Sequence, residues 1–192
     1  MKLFKKVMAI ALASVLALSV LTGCGGKDGL GFNSSSLANA LTDVATMQGD
    51  EITFTADTAM DAQAQKLAKF AEEQTKDMTL TPSEIGRMLD NTQVIAAINQ
   101  ELNIKSVSET APLYYLAMAE VSDKITANDT KNVYYADSLL DNIIPINNSA
   151  KEWKLKNGKV AIAMGMATAK IAGRDYIVML MKTSDVAKRP NK

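Results

Sequence analysis

The stretch Val160-Ala161-Ile162-Ala163-Met164-Gly165-Met166-Ala167-Thr168-Ala169-Lys170-Ile171 decides the fold. Its odd and even positions are both apolar, so a strand here has two buried faces and must lie inside a sheet covered on both sides. Strands are expected over Trp153 to Lys156, Lys159 to Ile171 and Asp175 to Thr183. Asn157-Gly158, the strongest hairpin signal in the chain, joins the first two, and Gly173-Arg174 turns the second into the third. The expected product is a three-stranded antiparallel meander.

Methionines stand two apart on both long strands, as Met164 and Met166 and as Met179 and Met181. A two-residue turn at Gly173-Arg174 sets Met166 opposite Met181, and four thioethers converge on one face. Soft thioethers select Cu(I), which makes these four the candidate metal set. Methionine is also an adaptable core filler, and the sequence favours that role, so no metal or cofactor is expected. Ala163, Gly165, Ala167 and Ala169 share the opposite face, where small side chains let a helix approach closely, a ligand pocket there being the alternative.

Upstream the period is mostly helical. Ser34 to Ser36 supply N-caps for a helix through Leu37, Leu41 and Val44 that ends near Gly49, and Glu51 to Thr55 alternates as a short strand. Asp57 caps a longer helix with an apolar spine of Met60, Ala64, Leu67, Ala68 and Ala71. Thr81-Pro82-Ser83-Glu84 is a capping box that starts a third helix bearing Ile85, Met88 and Leu89, and a fourth runs from Thr92 to Leu102 and ends at Asn103. Ser108 to Ile125 is predicted as helix, with Pro112 in the first turn and Leu113, Leu116, Ala117, Glu120 and Val121 at helical spacing. Tyr114 and Tyr115 then point different ways, as half-buried structural rings or with one facing a groove. Ala127 to Lys131 is read as polar loop and Asn132 to Ile144 as helix stopped by Pro145. The fold class is α+β, helices packed on a small antiparallel sheet, with residues 34–192 as a single domain.

The N-terminus supplies an address. Lys2, Lys5 and Lys6 precede an apolar run from Val7 to Leu21, the layout of a secretory signal over residues 1–23. At about 15 residues the run is shorter than the roughly 20 that span a bilayer. Leu21-Thr22-Gly23-Cys24 resembles the lipobox of bacterial lipoproteins, in which the cysteine takes a diacylglyceryl group and the signal is cut just before it. The resemblance implies a mature chain starting at Cys24, acylated there, and held on the extracytoplasmic face of the bacterial cell membrane. Acyl chains that bury methylenes at about 0.8 kcal/mol each anchor such a protein without a span. Residues 24–33, Gly-rich and polar, are the tether.

Composition excludes whole classes. The 21 basic residues lose three lysines with the leader, leaving 18 against 21 acidic and a net charge of −3. The local basic excess, Lys182 to Lys192, is read as a solvated, frayed end, so no nucleic-acid partner is expected. Cys24 is the only cysteine and there is no histidine, which removes disulfides, thiolate nucleophiles and every His-assisted mechanism. Ser83-Glu84-Ile85-Gly86 lacks the Lys of a Ser-x-x-Lys pair, and the chain has neither a calcium-loop spacing nor a phosphate loop after a strand. Scattered carboxylates remain.

Phe54-Thr55-Ala56-Asp57 leading into Met60, Ala64, Gln65 and Ala68 resembles the opening of the CAP superfamily, the cysteine-rich secretory, antigen 5 and pathogenesis-related proteins. Ile162-Ala163-Met164-Gly165-Met166-Ala167 followed by Asp175-Tyr176-Ile177-Val178 is similar to its final two strands, and Ser138 to Ile144 to its Ser-to-Asn-Ile segment. The resemblance implies an α-β-α sandwich. The family cavity uses histidines with acidic residues, which this chain does not match, so it implies a domain whose ancestral site is lost. A stand-alone α+β lipoprotein fold is the alternative.

Three functions fit the sequence. A non-enzymatic envelope lipoprotein that binds or scaffolds a protein or peptide partner fits the missing catalytic groups and is favoured. A small-ligand or Cu(I)-binding lipoprotein requires an apolar pocket or an open thioether cluster. A carboxylate hydrolase of wall polymers requires two convergent acids in a cleft.

Overall fold

The computed structural model describes residues 32–89, 91–122, 128–148 and 152–189. The signal, the lipobox with Cys24 and the tether up to residue 31 lie outside the described residues. Among the described residues twelve elements follow in order: α1 (Ser34–Met47), β1 (Ile52–Ala56), α2 (Thr58–Thr75), α3 (Pro82–Leu89), α4 (Thr92–Glu101), β2 (Leu113–Glu120), α5 (Asn128–Asp141), β3 (Ile144–Pro145), β4 (Trp153–Leu155), β5 (Val160–Ile171), β6 (Arg174–Thr183) and β7 (Val186–Lys188). This is an α+β fold around one five-stranded sheet, ordered β1-β5-β6-β2-β3.

Three layers result from the alternation in β5 and β6. Even positions of β5, Val160, Ile162, Met164 and Met166, and odd positions of β6, Ile177, Met179 and Met181, face α1 and α5 through Leu37, Leu41, Tyr135 and Leu139. The opposite positions, Ala167, Ala169 and Ile171 with Tyr176, Val178 and Leu180, face Met60, Ala64, Leu67 and Ala68 of α2 and Ile85 and Ile98 of α3 and α4. The small-residue face of β5 is the seat of α2. A Cβ on Gly165 would stand 2.0 Å from the carbonyl carbon of Met60 and 2.1 Å from the nitrogen of Asp61, so only glycine admits the helix backbone.

Local chemistry explains the element ends. Asn33 caps α1, its Oδ1 accepting the Ser35 and Ser36 N–H at 2.9 and 3.1 Å, so the cap precedes the serines expected for it. Asp57 caps α2 as expected, and Thr81 with Glu84 forms the expected capping box on α3. Asn103 ends α4 with φ 53.

β1 runs parallel to β5, pairing Ile52 with Val160 through Ala56 with Met164, so the sheet is mixed where an antiparallel one was expected. Beyond Met164 the β5 edge is covered by α2 side chains. The Met166 N–H donates to Asp61 Oδ1 at 3.0 Å, Lys170 N–H to Glu72 Oε1 at 2.6 Å and Ala172 N–H to Thr75 Oγ1 at 3.1 Å. The outer edge of β1 is met by α1, where Thr42 Oγ1 accepts the Phe54 N–H at 2.9 Å. Backbone groups that would otherwise template another strand are thereby satisfied.

Five further expectations are corrected. Leu113–Glu120 is strand, not helix, and pairs along its whole length with β6. Its Leu-Tyr-Tyr-Leu-Ala-Met-Ala run is buried on both faces, so its apolar residues also fall at helical intervals and the period of two is hidden. Tyr115 packs toward α1 and α5 and Tyr114 toward α2, pointing apart as a strand requires. The meander lacks its first strand: β4 pairs with β7 in a separate two-stranded sheet, because β1 and β6 already occupy both edges of β5. Gly158 still turns the chain, with φ 86, but the strands beside it do not pair with each other.

The β5–β6 turn is Ala172-Gly173, one residue earlier than expected, with φ 49 and 82 as a type I′ hairpin needs. Register moves by two, so Met166 pairs with Met179 and Met164 with Met181. Finally, α5 begins at Asn128, inside the expected loop (Ala127 lies outside the described residues), and the C-terminal stretch stays paired through Lys188 in β7 where fraying was expected.

Candidate binding cleft

The four methionines do converge on one face, in the corrected register. Met164, Met179 and Met181 have no exposed surface and Met166 is 8% exposed, roofed by α1 and α5. Their place is the packed core between sheet and helices, where burying each side chain is worth about 1.5 to 3 kcal/mol. Among the described residues no three His, Cys, Asp or Glu side chains gather to hold a metal ion. No helix among them is long and apolar enough to cross a membrane.

The opposite layer holds an open cleft of about 90 Å³. Its floor is Leu116 and Met118 of β2 with Ile171 of β5, one wall is Leu67, Phe70 and Ala71 of α2, and the other is the α3–α4 arm with Ile85, Met88, Leu89, Val94, Ala97 and Ile98. α3 and α4 lie on the same face of the sheet as α2, in the layer of Ala167, Val178 and Leu180, and each turns an apolar stripe toward it. Ile85 and Ile98 go to the interior, while Met88, Leu89 and Val94 remain half-buried along the opening. The far end of α4 is tied to α2 by Lys66 and Glu101 at 3.3 Å, a half-exposed ion pair that positions more than it stabilises.

Among the described residues no charged side chain lines the cleft. Its polar lining is Gln74, Thr75, Asn91 and Gln93. Thr75 is engaged, donating to Ala71 O at 2.8 Å and accepting from the turn at Ala172. Asn91 caps α4 through the N–H groups of Gln93 and Val94. In the same core layer, Tyr176 holds a buried hydroxyl with no hydrogen-bond partner among the described residues, and its burial pushes its ionisation up, with Glu120 adding to the effect. On the other side of the sheet Tyr115 is pushed up to about 12 by burial.

Sequence reasoning named the apolar stripe of each wall but not the cleft, because its lining is drawn from five elements that no spacing connects. The chain was compared with protein-family models, with curated proteins and with solved structures, and nothing matches it.

Proposed function

We propose that this chain is a lipid-anchored lipoprotein of the bacterial cell envelope, acylated at Cys24, whose domain is a non-enzymatic binding module. The guest is an apolar anchor side chain of a protein or peptide partner, seated in the cleft between α2, the α3–α4 arm and the sheet. The observation that carries this reading is the cleft itself: open, predominantly apolar, and without a charged side chain among the described residues that line it. None of the described lining side chains is a catalytic acid or base.

Size favours an anchor residue over a free small molecule. Cavities that hold drug-sized ligands are about 300 to 1,000 Å³, and even a benzene-binding cavity is about 150 Å³. A cleft of about 90 Å³ fits the tip of one leucine or phenylalanine, with the rest of the partner outside. The amides of Gln74 and Gln93 suit a peptide backbone, which donates and accepts. The resemblance to the CAP superfamily implies a scaffold of α-β-α layers, and in this reading the binding site differs from that family's histidine cavity.

A photo-cross-linking residue placed at Gln93 in cells tests this. The expected result is a discrete protein adduct that disappears when Ala97→Leu fills the cleft. Absence of any adduct, or an adduct indifferent to Ala97→Leu, would remove the cleft as the binding site.

A further inference from the structure

We infer that the partner seated in the cleft is an extended peptide that adds as a strand to the free edge of β2 at Met118 and Glu120, with an apolar side chain beside Met118 and a basic one beside Glu120. This rests on the cleft being the binding site and names the form of the guest.

Alternate residues of β2 turn their backbone groups to opposite sides. Odd positions face β6, and the same alternation continues past the strand end, where the Val121 N–H donates to Asp175 O at 2.7 Å. Even positions face the outer edge, and closures stand at both of its ends. Tyr114 accepts the Ile146 N–H at 3.0 Å and donates its own to Asn147 Oδ1 at 2.9 Å, and Leu116 pairs with Ile144. At the far end the Ser122 N–H donates to the Tyr135 hydroxyl at 2.7 Å. Between them lies a gap, because the chain before β3 still belongs to the end of α5, with the Asn142 N–H donating to Leu139 O at 3.2 Å. Among the described residues none pairs with the outward N–H and C=O of Met118 or Glu120.

Two donors and two acceptors in a row, at the spacing of a ladder, match an extended backbone. The six steps from Leu116 to Ser122 span about 20 Å, room for about five residues of peptide. Register then fixes the side chains. The peptide residue opposite Met118 puts its Cβ about 5 Å from that of Met118 and on the same face, which is the floor of the cleft. The residue two positions along stands opposite Glu120, a partly exposed carboxylate that meets Arg174 at 2.8 Å. Asp141, exposed, lies three residues before Ile144 at the other end of the gap, with exposed Asp137 one turn earlier on α5. This acidic rim selects a lysine or arginine beside the apolar residue. A second copy of the chain does not fit. Pairing β2 with itself about Ala119 sets Leu116 of one copy opposite Ser122 of the other, on the line that Ile144 already holds.

Acetyl-Lys-Val-Leu-Val-Lys-amide is titrated into the ¹⁵N-labelled chain, beside the same peptide N-methylated at its leucine, which keeps the side chain and loses the donor aimed at Met118. Amide exchange and methionine methyl shifts are read together. With the first peptide at about ten times its Kd, the Met118 and Glu120 amides are expected to exchange about tenfold more slowly, and the methyls of Met88 and Met118 to shift. The N-methylated peptide is expected to bind about tenfold more weakly. Saturable methyl shifts with unchanged amide exchange, or equal affinity for the two peptides, overturn strand addition and leave the cleft as the site. Slowed amides with Met88 unmoved support the strand and remove the cleft as its seat. Amides unchanged up to the solubility limit of the peptide overturn the inference, as does slowing that grows with protein concentration before any peptide is added, which assigns the edge to a second copy. A peptide with both lysines replaced by glutamates is expected to bind more weakly, by a margin that shrinks with added salt, and equal binding overturns the basic residue.

Discussion

Gly165→Ala tests the seat of α2 on the sheet. The added Cβ would stand 2.0 to 2.4 Å from three backbone atoms of Met60 and Asp61, where ordinary contacts begin near 3.4 Å, so the first turns of α2 must retreat by more than 1 Å. Retreat also stretches the Asp61 bonds to the Met166 N–H at 3.0 Å and from the Ser34 hydroxyl at 2.7 Å, which tie α2 to β5 and to α1. Overpacking alone costs about 1 to 3 kcal/mol, and two strained hydrogen bonds add about 0.5 to 1.5 kcal/mol each, so a total near 4 kcal/mol is expected. For a domain of this size that lowers Tm by roughly 8 to 16 °C, at about 2 to 4 °C per kcal/mol. Urea titration should show the midpoint falling with an unchanged slope. Gly86→Ala is the control, since its Cβ meets nothing within 4 Å in the middle of α3, and it should stabilise by about 0.5 to 1 kcal/mol. If Gly165→Ala lies within about 0.5 kcal/mol of the parent, α2 does not rest on β5 as described.

Met166→Ala should cost about 2 to 5 kcal/mol in denaturant and Met166→Leu under about 1.5 kcal/mol, whereas a Cu(I) site would show both variants losing copper in a chelator competition with little change in stability. Asn147→Ala removes a buried amide that donates to Lys105 O and Pro112 O at 2.7 and 2.9 Å and accepts the Tyr114 N–H at 2.9 Å; a loss of about 3 kcal/mol or more is expected by urea titration. Glu84 is held below its ordinary 4.5 by the Thr81 N–H and hydroxyl, with Arg87 assisting, so its contribution to the α3 cap is present above pH 4.5 and is lost as pH falls through the lower folded value. The Thr81 amide proton should therefore titrate below 4.5 in the parent and be flat in Glu84→Gln.

The helices were legible wherever a cap and a stripe coincided. Asp57 with the Met60-Ala64-Leu67-Ala68 spine, and Thr81 with Glu84, each left one consistent solution. β5 and β6 were legible because twelve and ten residues exceed any turn signal inside them, and their double coverage followed from the two apolar faces. β2 was not, since Leu113, Leu116 and Ala117 satisfy a helical template as well as a buried strand. The turn was misplaced because Ala172, not a glycine, takes the first positive φ, and Thr75 holds its N–H in place from a helix 97 residues away in sequence. Asn157-Gly158 was misleading because a hairpin signal says nothing about whether the neighbouring edge is already taken. The cleft was hidden for a related reason: Ile85, Met88 and Leu89 read as the core face of α3, and only the packing of α2 and β2 leaves part of that face open.

Methionine methyl groups report directly on the cleft. Met88 and Met118 line it, while Met164, Met166, Met179 and Met181 lie across the sheet under α1 and α5. The chain, labelled with ¹³C at its methionine methyls, is titrated with N-acetyl-leucine amide and N-acetyl-phenylalanine amide. Saturable shifts at Met88 and Met118, with the four sheet methionines unmoved, are predicted. Absent shifts, or shifts led by Met164, Met166, Met179 or Met181, would contradict the assignment of this cleft as the seat of an apolar anchor.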